Sequence, residues 1–272
     1  MPQTILDKIL ETKRKEVAEL RRQYDPAALQ ARAKAAEPVR NFFSAVTRRP
    51  RRLLNLIAEV KKASPSAGVI CDDFDPEAIA RTYADAGADA ISVLTDQTYF
   101  QGRLEYLQAV RAVSGLPVLR KDFIIDELQV YESRAAGADA ILLIAAAMPP
   151  GKLMDLMILA AELRMTTLLE VHRADELMQV RSMVGFPHAA YSLLGINNRD
   201  LATFEVDVKT TIRLASLVGQ DVPIVSESGI KTRRDVQRLK AAGVKALLIG
   251  ETLMRSEQPG ASIEELLGSA HT

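Results

Sequence analysis

The chain has 272 residues, nearly half of them hydrophobic, and its 35 basic residues balance its 35 acidic residues. This length suits one large α/β barrel or two ordinary domains, and the charge balance argues against a protein that binds nucleic acid. The single cysteine, Cys71, excludes an intrachain disulfide and a thiolate metal cluster.

The first 50 residues are charged and have a helical pattern. We predict helices over three segments: about 4–22, about 26–36 and a short one around 42–46. This part of the chain has no apolar signal core, and no stretch reaches the ~18 apolar residues that a membrane helix needs. We therefore expect a cytoplasmic protein with no membrane contact, in which residues 1–50 pack as an N-terminal helical extension on a barrel formed by residues 51–272.

Eight short apolar runs follow, separated by amphipathic stretches. The runs are 53–59, 89–94, 117–121, 138–144, 166–170, 191–196, 222–226 and 245–250. The amphipathic stretches are 76–86, 103–114, 127–136, 150–163, 173–183, 207–217 and 231–242. Nearly continuous apolar runs are typical of parallel strands that are covered on both faces. A strand–helix unit repeated eight times predicts an α/β fold, the (β/α)8 or TIM barrel.

A repeated phrase supports the same architecture. AGADAI occurs at residues 86–91 and again at 136–141, and a looser copy, AGVKAL, occurs at 242–247. Glycine at the end of a helix takes the left-handed conformation, and small residues then lead tightly into the next strand. The first two copies would lie two βα units apart. Local convergence on a good loop sequence is the alternative, and it supports the same architecture.

Charged residues end several apolar runs, where a buried side chain loses hydration unless a partner or a ligand replaces it. Because side chains alternate along a strand, six polar residues would stand above interior side chains: Glu59 and Lys61 above Ile57, Lys121 above Leu119, Glu170 above Leu168, Asn197 above Gly195, and Glu227 above Val225. Chemistry takes place at this carboxyl end of such barrels. Any one residue could belong to a structural salt-bridge network, but six at one rim favour catalysis.

Two glycine-containing loops predict an anion site on the opposite side of the rim. Ser228 and Gly229 follow strand seven, whereas Gly250 and Glu251 follow strand eight and open a helix. Backbone N–H groups at such positions bind anions, and barrels often hold a phosphate between these two loops. Ser64, in the loop after strand one, would add a hydroxyl. Ordinary turn and capping glycines are the alternative.

Aromatic residues and histidines carry weaker signals. Phe100 and Phe123 lie in the loops after strands two and three, where they would line an aromatic substrate or pack against a lid. His172, two residues beyond Glu170, is placed to support that carboxylate rather than to react. No spacing of His, Asp and Glu suits a metal, and there is no GxGxxG or Walker lysine. We therefore expect no metal and no cofactor.

Seven phrases of the sequence resemble the indole-3-glycerol phosphate synthase family. They are IAEVKKASPS (57–66), LTDQTYFQG (94–102), LRKDFIID (119–126), LLEVH (168–172), LGINNRDL (194–201), VSESGI (225–230) and LIGETLMR (248–255). The resemblance covers residues 1–256, including the N-terminal extension. It implies a (β/α)8 barrel that closes and decarboxylates 1-(2-carboxyphenylamino)-1-deoxyribulose 5-phosphate, giving indole-3-glycerol phosphate in tryptophan biosynthesis without a metal or an organic cofactor.

The resemblance also implies a role for each residue of the site. Lys121 would be the general acid that protonates the substrate ketone, and Glu170 would be the base for the later proton loss. Lys61, paired with Glu59, would orient the substrate and assist loss of the hydroxyl. The other implied positions are Asn197 and Glu227 near the reacting region, Ser64, Ser228, Gly229, Gly250 and Glu251 (through its backbone N–H) around the phosphate, and Phe100 and Phe123 beside the anthranilate ring.

Two alternatives stay open at this point. The first is another phosphate-binding barrel, such as a sugar-phosphate isomerase or a Schiff-base aldolase. Lys121 could serve the aldolase, and borohydride would then trap the substrate as a covalent adduct on it. A binding or scaffold barrel without chemistry is the second alternative, and the intact pair of Lys121 and Glu170 speaks against it. We expect a phosphorylated small molecule as substrate, no nucleic-acid or membrane partner, and a monomer.

Overall fold

The computed structural model describes residues 3–201, 203–219 and 221–270, so the outer ends of the predicted extension and barrel lie outside the described residues. Eight parallel strands form a closed barrel, in which each strand pairs with the next along the chain and the last pairs with the first. The strands are β1 (Asn55–Val60), β2 (Ala90–Leu94), β3 (Val118–Lys121), β4 (Ala140–Ile144), β5 (Thr166–Val171), β6 (Ser192–Asn197), β7 (Ile224–Glu227) and β8 (Ala246–Ile249).

Helices precede the barrel and connect its strands. They are α1 (Ile5–Gln23), α2 (Pro26–Ala35), α3 (Phe42–Thr47), α4 (Pro76–Asp85), α5 (Gln97–Phe100), α6 (Leu104–Ser114), α7 (Glu127–Ala135), α8 (Pro150–Glu162), α9 (Ala174–Val180), α10 (Lys209–Ala215), α11 (Arg233–Ala241), α12 (Glu251–Met254) and α13 (Pro259–Leu267). Side-chain caps fix the starts of several of them; the Asp75 side chain, for example, accepts the N–H of Glu77 ahead of α4. The predicted (β/α)8 barrel is confirmed, with boundaries shifted by a few residues.

The sequence pattern does not predict three elements of the structure, a hairpin and two helices. A short hairpin pairs Ala63–Ser64 with Gly68–Val69 in the loop after β1. Helix α13 packs against α4 and α11 at the end of the chain. Helix α5 has only four residues, too few to show a period, and it is fixed by Asp96, which accepts the N–H groups of Tyr99 and Phe100 at 2.7 and 3.2 Å.

The N-terminal extension contacts both ends of the barrel. Phe42 and Val46 of α3 are buried in the same cluster as the interior side chains, and the Asn55 amide at the start of β1 donates to the Val46 carbonyl. Helix α3 therefore closes the amino end. At the carboxyl end, Leu10 of α1 packs with Ile125, which follows β3.

The repeated phrase forms an αβ loop at each copy. Its glycine adopts a left-handed φ of 79 to 90° in all three copies. The aspartate that follows caps the start of the preceding strand: Asp89 accepts the N–H of Leu56 at 2.9 Å, and Asp139 accepts the N–H of Val118 at 2.8 Å. The phrase thus supplies both the turn and a fixed entry for the neighbouring strand.

The barrel interior is filled by the side chains that the alternation predicts. They pack in one cluster that includes Ile57, Leu119, Leu168, Leu193 and Val225. Each is at most 1% exposed, so the interior is a packed core rather than a channel. Among the described residues, no helix combines the length and the apolar character needed to span a bilayer.

Candidate active site

One cavity opens at the carboxyl ends of the strands. Its lining includes every residue that the sequence places at the site: Glu59, Lys61, Ser64, Phe100, Lys121, Phe123, Glu170, Asn197, Glu227, Ser228, Gly229, Gly250 and Glu251. These side chains come from seven different strands or the loops that follow them. The fold therefore brings the charged rim, the aromatic pair and the two glycine loops to a single opening.

The charged rim is organised as two groups of ion pairs. The Lys121 Nζ lies 3.3 Å from Glu227 Oε2 and 3.4 Å from Glu170 Oε2. The Lys61 Nζ lies 2.8 Å from Glu59 Oε2. Each of the three glutamates is at most 4% exposed, so their charges are poorly screened by water and depend on the lysines.

Lys121 is held in its charged form. Burial alone would lower the pKa of its ammonium, but the carboxylates of Glu170, Glu227 and Glu59 outweigh burial and raise this pKa above its ordinary value. The unliganded site therefore keeps Lys121 as an ammonium at neutral pH. An amine held protonated is also a poor Schiff-base nucleophile, which argues against the aldolase alternative.

The pKa values of Glu170 and Glu227 are shifted in opposite directions. Burial, and then the neighbouring charge of Glu170, raise the pKa of Glu227 to about 8. Burial also raises the pKa of Glu170, but Lys121 and His172 lower it further, to well below the usual range. Burial and like charge therefore favour the protonated form of Glu227, whereas Lys121 and His172 favour the ionised form of Glu170. Two carboxyls with separated pKa values suit opposite acid and base roles.

His172 supports Glu170 from behind the cavity wall. Its Nε2 lies 3.1 Å from Glu170 Oε1, and its Nδ1 lies 3.5 Å from Glu176 Oε2. Burial would lower the pKa of this imidazole, but the two carboxylates raise it to about 10. His172 is therefore an imidazolium at neutral pH, and together with Lys121 it lowers the pKa of Glu170.

The raised pKa of Glu227 should make the protein less stable as pH rises from 5 to 8. Glu227→Gln removes this carboxyl and is expected to make the stability less dependent on pH in this range. Between the ordinary pKa of 4.5 and the folded pKa of about 8, the folded protein keeps a proton on Glu227 that the unfolded chain has already released. The folded state then binds more protons, so its free energy of unfolding decreases as pH rises through this window. Urea unfolding midpoints of both proteins at four pH values measure the difference. Parallel pH profiles would contradict the assignment.

Two glycines leave the space that the buried carboxylates occupy. A Cβ added at Gly250 would overlap Glu59 Oε2, and a Cβ added at Gly195 would lie 2.5 Å from Glu227 Oε1. Gly250 follows β8, next to β1, and Gly195 lies in β6, next to β7. A side chain at either position would displace the carboxylate from the place that it occupies here, so glycine serves close approach rather than a special backbone conformation.

The predicted anion site lies where the loops after β7 and β8 meet. Ser228 and Gly229 both adopt a left-handed conformation, with φ of 64° and 76°. A Cβ added at Gly229 would overlap Val206. The Glu251 side chain is turned towards Arg199, 3.6 Å away, so its carboxylate is partly neutralised beside the loops.

The opposite wall is aromatic and aliphatic. The rings of Phe100 and Phe123 have centroids 6.1 Å apart. Ile5 and Ile9, from α1 of the extension, line the same cavity. Their spacing of four residues shows an apolar face on α1 but not what that face covers, so the sequence does not assign them to the site.

Arg199 is a further lining residue that the residue-by-residue assignment leaves out. It belongs to the phrase GINNRDL, and that phrase is its sequence signal. Its guanidinium donates to the Phe204 carbonyl at 3.3 Å, which holds the loop after β6 over the opening. Within the described part of the chain, no group of three or more His, Cys, Asp or Glu side chains is arranged to hold a metal ion.

A closed (β/α)8 barrel with paired lysines and carboxylates at its carboxyl end defines a barrel enzyme of the acid–base type. The sequence profile of the family described as indole-3-glycerol phosphate synthase matches residues 6–266. The chain belongs to this family. Its activity is therefore the synthase reaction, a carboxy-lyase step of tryptophan biosynthesis.

Curated relatives agree over almost the whole chain. The indole-3-glycerol phosphate synthase of Desulfotalea psychrophila is 49% identical over 96% of this chain and 98% of its own. The synthase of Geobacillus kaustophilus is 49% identical over 97% of each chain. The synthase of Neisseria gonorrhoeae is 50% identical over 96% of this chain and 98% of its own.

Solved structures of low identity share the fold. The 3-hexulose-6-phosphate synthase from Salmonella typhimurium superposes with a TM-score of 0.62 at 14% identity, over 78% of this chain and 96% of that one. A mutant tryptophan synthase alpha-subunit from Pyrococcus furiosus superposes with a TM-score of 0.56 at 15% identity, over 79% of this chain and 98% of that one. At these identities the likeness shows the barrel alone.

Proposed function

We propose that Lys121 and Glu170 are the acid and the base of the synthase reaction and that Glu227 tunes the pair. The observation that carries this proposal is the position of the Lys121 ammonium, within 3.4 Å of two buried carboxyls of different proton affinity. The substrate, a phosphorylated anthranilate derivative, needs an acid for its ketone and a base for a later carbon-bound proton.

In the first step, the ring carbon that carries the carboxylate attacks the ketone carbon. A carbon–carbon bond forms, the carbonyl electron pair moves to oxygen, and that oxygen takes a proton from Lys121. The carbon–carboxylate bond then breaks, carbon dioxide leaves, and its electron pair restores the aromatic ring. The raised pKa of Lys121 keeps it charged until the substrate arrives, so the ammonium stabilises the developing oxyanion before it transfers the proton.

In the last step, the new hydroxyl leaves as water and an indole forms. Lys61, paired with Glu59 at 2.8 Å, gives the proton that the departing oxygen needs. Glu170 takes the proton from the adjacent carbon of the new ring; its depressed pKa keeps it ionised, and its basicity increases once Lys121 has given up its proton. Asn197, at the end of β6, is placed to hydrogen-bond the reacting region. One proton is consumed overall, as replacement of a carboxylate by carbon dioxide requires.

The two ends of the cavity fit the two ends of the substrate. The loops that contain Ser228, Gly229 and Gly250, with Glu251 contributing its backbone and Ser64 its hydroxyl, are proposed to bind the phosphate. Phe100 and Phe123 are proposed to flank the anthranilate ring. Fixing both ends holds the ring carbon near the ketone, which lowers the entropic cost of ring closure.

We further propose that residues 1–50 and the barrel form one domain, and that the protein works as a cytoplasmic monomer without a cofactor. Support for one domain comes from the buried contacts of α1 and α3 with the barrel. The large hydrophobic side chains exposed among the described residues come from different elements, as is normal on a monomer surface: Tyr24, Val69, Met178, Phe186, Val206 and Leu217. A single cysteine fits a reducing compartment.

The phosphate assignment is tested by Gly229→Ala. The new Cβ would overlap Val206 and strain a left-handed residue, so the loop has to move and the KM for the phosphorylated substrate is expected to rise about tenfold or more, with kcat changed far less. Because the chain has no tryptophan, indole emission reports the product directly.

The matched control is Gly151→Ala, at an exposed helix start where a Cβ meets nothing within 4 Å; its KM should equal that of the wild type. The wild type and Gly229→Ala should turn over the dephosphorylated substrate equally poorly, because neither can use the phosphate site to bind it. An unchanged KM in Gly229→Ala would reject the phosphate site, and absence of indole formation by the wild type would reject the proposed roles altogether.

A further inference from the structure

A buried lysine in the N-terminal extension is unused by the mechanism. Lys13 of α1 is only 2% exposed, and its ammonium faces three carboxylates: Glu16 Oε2 at 2.8 Å, Asp96 Oδ2 at 2.8 Å and Asp122 Oδ1 at 2.9 Å. The ammonium donates a hydrogen bond to Glu16 and forms close ion pairs with the two buried aspartates. Such burial is costly unless the charge is paired this completely.

Both buried aspartates also fix a loop that carries one of the site's aromatic rings. Asp96 accepts the N–H of Phe100 at 3.2 Å with its other oxygen. Asp122 accepts the N–H of Phe123 at 2.8 Å with the oxygen that faces Lys13. One ammonium therefore joins the two loops that hold the rings 6.1 Å apart.

The ion pair between Lys13 and Asp122 is also next to Lys121, at the end of β3. Asp122 directly follows Lys121, and the Lys121 carbonyl accepts the N–H of Thr95 at 3.1 Å. The Thr95 hydroxyl donates to Asp122 at 2.5 Å. A second contact between α1 and α5, at 3.1 Å between Thr12 Oγ1 and the Tyr99 hydroxyl, ties the same loop to the extension.

We propose that Lys13 is a positioning residue for the aromatic end of the substrate, because it holds the carboxylates that set the separation of Phe100 and Phe123. Lys13 is not among the residues that line the cavity, so it acts through Asp96 and Asp122 and does not touch the substrate. This inference rests on the proposed ring site and deepens it. It gives the extension a part in substrate recognition beyond attachment to the barrel.

The rival explanation is that Lys13 only attaches α1 to the barrel. Under that explanation, loss of its charge lowers the unfolding midpoint but leaves the KM of the folded enzyme unchanged. Under the positioning role, the KM rises even where the enzyme is fully folded, because the two loops separate and the ring loses its fixed slot.

The test uses Lys13→Met, which keeps the length of the side chain but removes its charge. We expect the KM for the phosphorylated substrate to rise about tenfold or more, with a smaller change in kcat. The double variant Lys13→Met/Asp96→Asn removes one positive and one negative charge, so it should fold more readily than the single variant. It should keep the raised KM, because Asp122 still has no ammonium to face.

Two control variants on α1 test whether a change in KM is specific to the contacts of Lys13 with Asp96 and Asp122. Glu16→Gln removes the third partner of Lys13, which is 42% exposed and holds no aromatic loop, and its KM should stay at the wild-type value. Lys15→Met changes an exposed lysine of the same helix, and its KM should also stay at the wild-type value.

The outcomes are distinct. If the wild type forms indole but both Lys13 variants bind substrate with the wild-type KM, the positioning inference is wrong and the proposed function stands. If a rise in KM appears equally in Glu16→Gln, the inference is also overturned, because the effect then belongs to the helix and not to the aromatic loops. If the wild type forms no indole, it is the proposed function that fails.

Discussion

Lys121→Met is expected to lower kcat by roughly 1,000-fold while the equilibrium affinity for the substrate changes only a few-fold. The side chain supplies the proton for the ketone and the charge that faces Glu170 and Glu227. Methionine fills similar space but has neither. Indole emission gives kcat, and equilibrium dialysis with labelled substrate gives the affinity.

A second substitution at the same position separates proton transfer from charge. Lys121→Arg keeps a positive charge beside both carboxyls, but a guanidinium does not deprotonate in proteins, so turnover should stay low. The exposed Lys240→Met on α11 is the control and should behave as wild type. Retained turnover in Lys121→Met would remove this residue from the mechanism.

The second large effect is expected from Glu170→Gln. Glu170 acts late, so the amide should slow indole formation by about 100-fold to 10,000-fold while carbon dioxide is still released in the first turnover. Single-turnover experiments that follow carbon dioxide and indole emission together measure both rates. The exposed Glu162→Gln at the end of α8 is the matched control.

Timing decides whether the role given to Glu170 is right. A burst of carbon dioxide without indole places the residue after decarboxylation, as proposed. If both products are slowed by the same factor, Glu170 acts before or during ring closure, and the base for the last step has to be sought elsewhere on the rim.

The barrel, and the side chains that point inward at its carboxyl end, could be predicted because both depend on short-range patterns in the sequence. Apolar runs give the strands, and alternation by two places Glu59 above Ile57 and Lys121 above Leu119 without any knowledge of the neighbouring strands. The phrases shared with the family then supply the loop residues, such as Ser228. These features need no distances.

Proton affinities could not be predicted in the same way. Whether the pKa of Lys121 is raised or lowered depends on whether burial or its three carboxylates dominate, and only distances decide this. The separation between Glu170 and Glu227 likewise depends on His172, which touches only one of them. The sequence shows that these groups are present but not which of them holds the proton.

Lys13 is a missed prediction for which a signal existed. It lies on the same face of α1 as the buried apolar positions, which include Leu6, Leu10, Val17 and Leu20, so helical periodicity places a charge on the buried side. Its partners, Asp96 and Asp122, are far away in the sequence, and nothing local names them. When a basic residue lies on the apolar face of a predicted helix, acidic residues at the ends of predicted strands are therefore candidate partners for it.

The space left by Gly195 and Gly250 has a consequence for transplanting this chemistry. Glu59 and Glu227 each occupy the room that the adjacent strand would give to a side chain. Anyone who engineers the same reaction into a different eight-stranded scaffold would need coordinated edits, an acid on one strand and a residue without a Cβ beside it. Grafting only the lysines and glutamates would displace Glu59 and Glu227 from the places that they occupy here, before any question of proton transfer arose.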